Sequence, residues 1–290
     1  MKKIFLFIKA LLFTVRDFKY NYNHMKNHAQ NSGEIKFSYL RMYCHMLDKA
    51  MNNIYFEKGH SQMVYSNAKK LSLELEPLYK EDSAYKWALE ILKRFEDAQL
   101  NGRPSLNNNN ASIYTLDEIS LFKKILYSRT SCRNFKSDII PNEVIRDIVA
   151  MAVDAPNGCC RQVVRYYITQ TPETIEILKP CIAGLTNFTN VSCLVCVCAE
   201  VSVYDIIDKN LQYVDTALSV ENFLLGATIY GIQGTICNFF HATTEDIFKC
   251  KQSLNIPKTE NIVMFIALGY PTIIPEKPTR RDLNVFYKEI

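Results

Sequence analysis

The run Val191-Ser-Cys-Leu-Val-Cys-Val-Cys198 carries no charge over its whole length. A continuous apolar stretch of that size reads as a buried strand. Three further strand-like segments stand at 165–170, 232–239 and 261–268. Helical patterns fall around them. Thr115-x-x-Glu118 is a capping box that opens a helix to about Tyr127. A second helix is predicted from about Pro141 to Val153, with proline near its first turn. A long helix, Asn210 to Tyr230, lies between the second and third strands and ends at Gly231, as helix C-termini often do. Helices and strands that alternate in this way predict an α+β domain built around a mostly buried central sheet.

The chain of 290 residues is long enough for about two domains. Upstream of the strands, residues 34 to about 100 keep helical spacing. Phe37, Leu40, Tyr43, Leu47 and Met51 recur every three or four positions, and Trp87, Leu89, Leu92 and Phe95 follow in a second helical pattern. Asn101-Gly-Arg-Pro-Ser-Leu-Asn-Asn-Asn-Asn110 is turn-rich and reads as a linker. The expected division is a helical extension over 1–112 and a second domain over 113–290.

Residues 1–15 are apolar and begin with two lysines, but Lys9 interrupts the run and no small-x-small cleavage site follows closely. The segment is too short to span a bilayer. Lys2, Lys3, Lys9, Arg16 and Lys19 face one acid, Asp17, in sequence. Residues 1–20 therefore form either a helix docked on the protein's own body or a basic amphipathic helix in peripheral contact with a membrane.

A net charge of +4 is too small to argue for a nucleic-acid partner. Ten cysteines are present, several of them inside the apolar strand, where a free cysteine acts as a small hydrophobe. Cys193-x-x-Cys196 has metal-site spacing, yet a strand would point the two thiols to opposite faces. No metal is expected, and a reduced, cytoplasmic compartment fits best. Neither a Gly-x-Gly-x-x-Gly after a strand nor a P-loop occurs. The five histidines are scattered; His45 stands near Asp48 on a predicted helix, as in a structural pair.

Arg129-Thr130-Ser131-Cys132-Arg133 follows the capped helix. In extended chain, residues i, i+2 and i+4 point the same way. Arg129, Ser131 and Arg133 would then converge on a small anion, and guanidinium forks suit phosphate. A solvated basic turn is the competing reading of these five residues.

Several blocks in order resemble the nitroreductase-like family of FMN-dependent oxidoreductases over about residues 115–290. They are Arg129-x-Ser131-x-Arg133 with Phe135, then Ala155-Pro156-Asn157-Gly158-Cys159-Cys160-Arg161-Gln162. Glu221-Asn222-Phe223-Leu224-Leu225-Gly226-Ala227 follows, then Gly269-Tyr270-Pro271 and Arg280-Arg281. The resemblance implies a mixed central sheet flanked by helices, FMN as cofactor and NADH or NADPH as electron donor. It also implies a homodimer with flavin at its interface. Arg129, Ser131, Arg133 and Arg280 or Arg281 would hold the phosphate end. Pro156 and Asn157 would contact the flavin from the partner subunit, and Cys160 and Gln162 belong to the same flavin-binding segment. Backbone around Ile236, Cys237 and Asn238 would face its reactive edge. Cys160 stands where the family commonly has asparagine, Val163-Val164 where it has Pro-Trp, and Asn157-Gly158 where it has a serine pair.

The resemblance implies hydride transfer from NAD(P)H through flavin to a small organic acceptor, nitro, quinone or enone-like. Such chemistry needs no side-chain acid or base, so no catalytic residue is named. The alternative is an altered member of the fold with weak or no flavin chemistry that serves as a membrane-associated interaction module.

Overall fold

A computed structural model describes residues 2–25, 32–53, 55–104 and 112–289. Most of the predicted linker, 105–110, lies outside the described residues. Four helices precede it: α1 (Lys2–His24), α2 (Gly33–Met51), α3 (Gln62–Tyr79) and α4 (Ser83–Asn101). Local chemistry sets their ends. The Ser32 side chain accepts from Ile35 N to cap α2, Asp82 accepts from Ala84 N and Tyr85 N to cap α4, and Gly102 takes the left-handed conformation that ends α4. Helices α2 to α4 enclose a core of Phe37, Leu40, Leu47, Leu75, Ile91 and Phe95. The predicted His45–Asp48 pair is replaced by a longer-range contact: the Asp48 carboxylate meets Arg94 of α4 at 3.4 Å.

The second part follows its sequence pattern closely. Helix α5 (Leu116–Ser128) starts on the predicted capping box, with both reciprocal bonds formed between Thr115 and Glu118. Helix α6 (Asn142–Val153) begins directly after Pro141. Strand β1 (Val164–Thr169), helix α7 (Pro172–Leu178) and strand β2 (Cys193–Glu200) come next. They are followed by α8 (Leu211–Ile229), β3 (Gln233–Asn238), α9 (Thr244–Ser253) and β4 (Glu260–Gly269). Gly231, with φ of 70°, closes α8 as its sequence position predicts.

The strands form one sheet in the order β1-β2-β4-β3, and each of the three pairings is antiparallel. A parallel contact occurs at the isolated bridge Asn134–Thr189. Every residue of β2 is buried, as expected of a charge-poor central strand. One face packs under α6 and α8 through Ile148, Val220, Phe223 and Ala227. The other packs against α7, α9 and the segment 175–188. Cys193 belongs to the first core and Cys196 to the second. The two thiols therefore point to opposite faces, which dismantles the apparent metal spacing. All ten cysteines are free thiols.

Helix α1 meets the rest of the protein near its C-terminal end. Tyr20 donates to Lys258 O at 2.8 Å, Arg16 donates to Ala242 O at 2.6 Å, and Asn21 is buried against Gln212. Ile4, Phe7, Ile8, Leu11, Val15 and Phe18 recur at helical spacing along one side of α1, and each is at least half exposed. No helix among the described residues is long and apolar enough to cross a membrane.

Candidate functional site

The segment 129–133 leaves α5 in extended conformation and runs beside β3. Thr130 N donates to the Gln233 side chain at 3.1 Å, and Thr235 donates to Cys132 O at 2.5 Å. Thr130 and Cys132 are buried, whereas Arg129, Ser131 and Arg133 are more open and line one pocket of 250 Å³. The i, i+2, i+4 alternation is thus present in burial, and buried Thr130 also lines the cavity while Cys132 does not.

Arg280 lines the same pocket, together with Lys277. Arg281, the alternative sequence candidate, is exposed and does not line it. No sequence motif marks Lys277. It lies between Pro275 and Pro278, in a stretch whose prolines favour extended chain. Its ammonium donates to Leu126 O at 3.4 Å and Tyr127 O at 3.2 Å, at the C-terminal end of α5. Partial desolvation, then the charges of Arg129 and Arg280, hold its pKa below the usual lysine range. Three guanidiniums and an ammonium thus surround one small cavity with Glu276 as the acidic lining residue. A group with several negative oxygens relieves that repulsion, so the donor set fits the phosphate end of FMN.

The second group of predicted residues lies elsewhere. Asn157, Cys160 and Gln162 line a larger, half-open cavity of 620 Å³. Pro156 is exposed beside it. The loop that carries them is held under backbone strain: Cys159, Cys160 and Gln162 have φ of 54°, 56° and 53°. Asparagine tolerates that region better than cysteine does. Burial pushes the Cys160 thiol pKa up, and the Arg41 charge partly offsets it.

The strained loop is fixed from beneath by a buried polar network. Asp215 of α8 accepts from Gly158 N at 2.9 Å and from the Tyr204 hydroxyl at 2.5 Å. Arg161 stacks on the Tyr204 ring at 5.3 Å and pairs with Asp208 at 3.3 Å. From above, α2 supplies two donors to Arg161 O: Ser38 Oγ at 2.9 Å and Arg41 Nη2 at 2.8 Å. The guanidinium of Arg41 is buried and also lies over Phe37. Sequence reasoning missed Arg41, Tyr204 and Asp215. Each acts across a long stretch of chain, and no local pattern marks such partners.

The third predicted element, 236–238, alternates. Cys237 is buried, with Ile236 and Asn238 exposed on the edge strand β3. The neighbouring Thr235 bonds to Cys132 O, so this strand runs beside the segment 129–133; none of the three residues lines the cation-rich pocket.

A sequence model of the nitroreductase family matches residues 126–199 and 186–270, together half of the chain. The chain belongs to the nitroreductase family. Solved structures share its fold. A nitroreductase-like protein from Streptococcus mutans is 17% identical, with a TM-score of 0.52, over 59% of this chain and 99% of that one. An NADPH:FMN oxidoreductase from Vibrio harveyi, solved with NAD+, is 18% identical, with a TM-score of 0.51, over 58% of this chain and 76% of that one. No curated protein matches by sequence. As a family member the protein is an NAD(P)H-dependent flavin oxidoreductase that uses FMN.

Proposed function

We propose that this nitroreductase-family protein delivers electrons from NAD(P)H to a small organic acceptor, a nitroarene, quinone or enone-like compound, at sites shared between two protomers. Bound FMN supplies the redox chemistry. Arg129, Arg133, Lys277 and Arg280 neutralise and orient its phosphate, Ser131 offers a hydroxyl beside them, and the β3 edge presents backbone next to the segment 129–133. The loop 156–162 acts on the flavin of the partner subunit. The observation that carries this reading is the pocket that gathers Arg129, Ser131, Arg133 and Arg280 from two distant chain segments.

The sharing of sites rests on three further features. The two groups of site residues open into separate cavities within one chain. Helix α5 has no buried residue, and Leu121, Phe122 and Tyr127 stand exposed along it. Helix α8 packs one side on the sheet and leaves Val214, Leu218 and Ile229 in the open. A helix apolar on two sides needs two partners. Light scattering is expected to give a homodimer, and dilution below its dissociation constant should release FMN as the dimer dissociates. A monomer that keeps its FMN on dilution would remove the shared site.

The exposed stripe of α1 supports peripheral membrane contact. Its apolar side chains face outward, and Lys9 and Lys19 are also exposed. Such a helix suits the interface of an anionic bilayer, where each basic residue near the surface contributes about 1 kcal/mol. Sedimentation with phosphatidylglycerol-containing vesicles should bring the protein down, and pure phosphatidylcholine vesicles should bring down much less. Phe7→Glu with Leu11→Glu should abolish the difference. Wild-type protein that stays in the supernatant with both vesicles would assign the stripe to a protein contact.

A further inference from the structure

The 620 Å³ cavity joins the two parts of the chain. One wall is the loop and strand start around Asn157, Gln162 and Val164; the other is the first turn of α4, with Ala84 and Trp87. Trp87 is the one tryptophan in the sequence, and it is partly exposed where it meets this space. The family match ends at its N-terminal side with residue 126, so the helical extension contributes this wall.

The cavity's charged groups are already engaged. Asp82 caps α4, Asp215 holds Gly158 N and the Tyr204 hydroxyl, and Arg165 donates to Glu34 at 2.6 Å. A charged ligand would find no uncommitted counter-charge among these groups. What the space offers instead is an aromatic face, aliphatic surface from Val153 and Val164, and side-chain amides. The amide of Gln162 meets Cys160 Sγ at 3.9 Å, a long contact to a weak acceptor. Its N–H groups remain able to donate to a stronger one, such as a ring carbonyl oxygen. The volume is in the range of small-molecule sites.

We propose that this cavity binds an uncharged, planar acceptor of the quinone or aromatic class, with Trp87 as its stacking surface and Gln162 as a donor to its carbonyl. The helical extension is then a determinant of acceptor choice. The redox role of the ligand rests on the flavin reading; its binding beside Trp87 does not.

The sole tryptophan makes the test direct. Wild-type protein as purified is titrated with 2-methyl-1,4-naphthoquinone while the tryptophan fluorescence lifetime is recorded, with N-acetyltryptophanamide as reference. Saturable shortening is expected. A linear response with the slope of the reference, as in random collision, overturns the assignment. On FMN-loaded protein, Trp87→Ala should raise the KM for the naphthoquinone about tenfold with kcat changed less than about twofold, and Trp87→Phe should restore most of the loss. An unchanged KM in Trp87→Ala also overturns it. Colourless protein with saturable quenching keeps the binding site and removes its redox role. Yellow protein with linear quenching keeps the flavin reading and removes the Trp87 site.

Discussion

Arg129→Ala and Arg133→Ala should each lower FMN affinity by about tenfold or more. Each removes a charge-assisted bond to phosphate, and such bonds contribute about 1.5–3 kcal/mol. Arg133 is exposed and Arg129 is half-buried, so the loss at Arg129 should be the larger of the two. Riboflavin provides the control. It lacks phosphate, so its binding should differ little between wild type and either variant. Equal losses for FMN and riboflavin in isothermal titration would trace the defect to folding. Lys277→Ala should behave like the arginine variants. Its removal also frees the carbonyls of Leu126 and Tyr127, so α5 should fray at its end.

Asp215→Ala should be the most destabilising single change near the site, at about 3 kcal/mol. It leaves the buried Tyr204 hydroxyl and Gly158 N without their shared acceptor, and it removes a negative charge near the buried Arg161. Burial, then the bond to Asp215, raises the Tyr204 phenol well above its ordinary pKa, so the hydroxyl keeps its proton and remains a donor. Tyr204→Phe alone should cost less, since Asp215 retains Gly158 N. The double variant should fall short of the sum, because both side chains act in one network. Urea unfolding of the four proteins measures this. Strict additivity, or a loss below about 1 kcal/mol for Asp215→Ala, would mean that water satisfies the network.

The sequence was most informative where chemistry repeats at short range. Thr115 and Glu118 form their reciprocal caps, and Gly231 takes the positive φ that ends α8. Arg129, Ser131 and Arg133 line one cavity, as extended chain predicts, although Thr130 between them lines it too. The apolar run at 191–198 is the buried internal strand, which begins two residues later, at Cys193, and ends two residues later, at Glu200. What could not be read is what needs tertiary proximity. Asp215 looks like an ordinary polar position in an apolar helix, and only the fold puts it under Gly158. Trp87 falls in the same helical pattern as Leu92 and Phe95, as any core residue would, yet it borders a cavity. Arg280 and Arg281 are equivalent in sequence, and the path of the tail after Pro278 separates them.

The bond from Arg41 to Arg161 O also has a consequence for the order in which the chain matures. The donor is synthesised 120 residues before its acceptor. When α2, α3 and α4 have left the ribosome, their shared core can assemble, but the guanidinium of Arg41 has no carbonyl to meet and stays hydrated. Closing that long loop is slow compared with forming a helix. The extension therefore passes through a stage with an open, cationic seam, and it is sealed when the strained loop at 158–161 arrives. A nascent chain stalled before residue 161 should be cut by protease along α2, and the finished protein should resist.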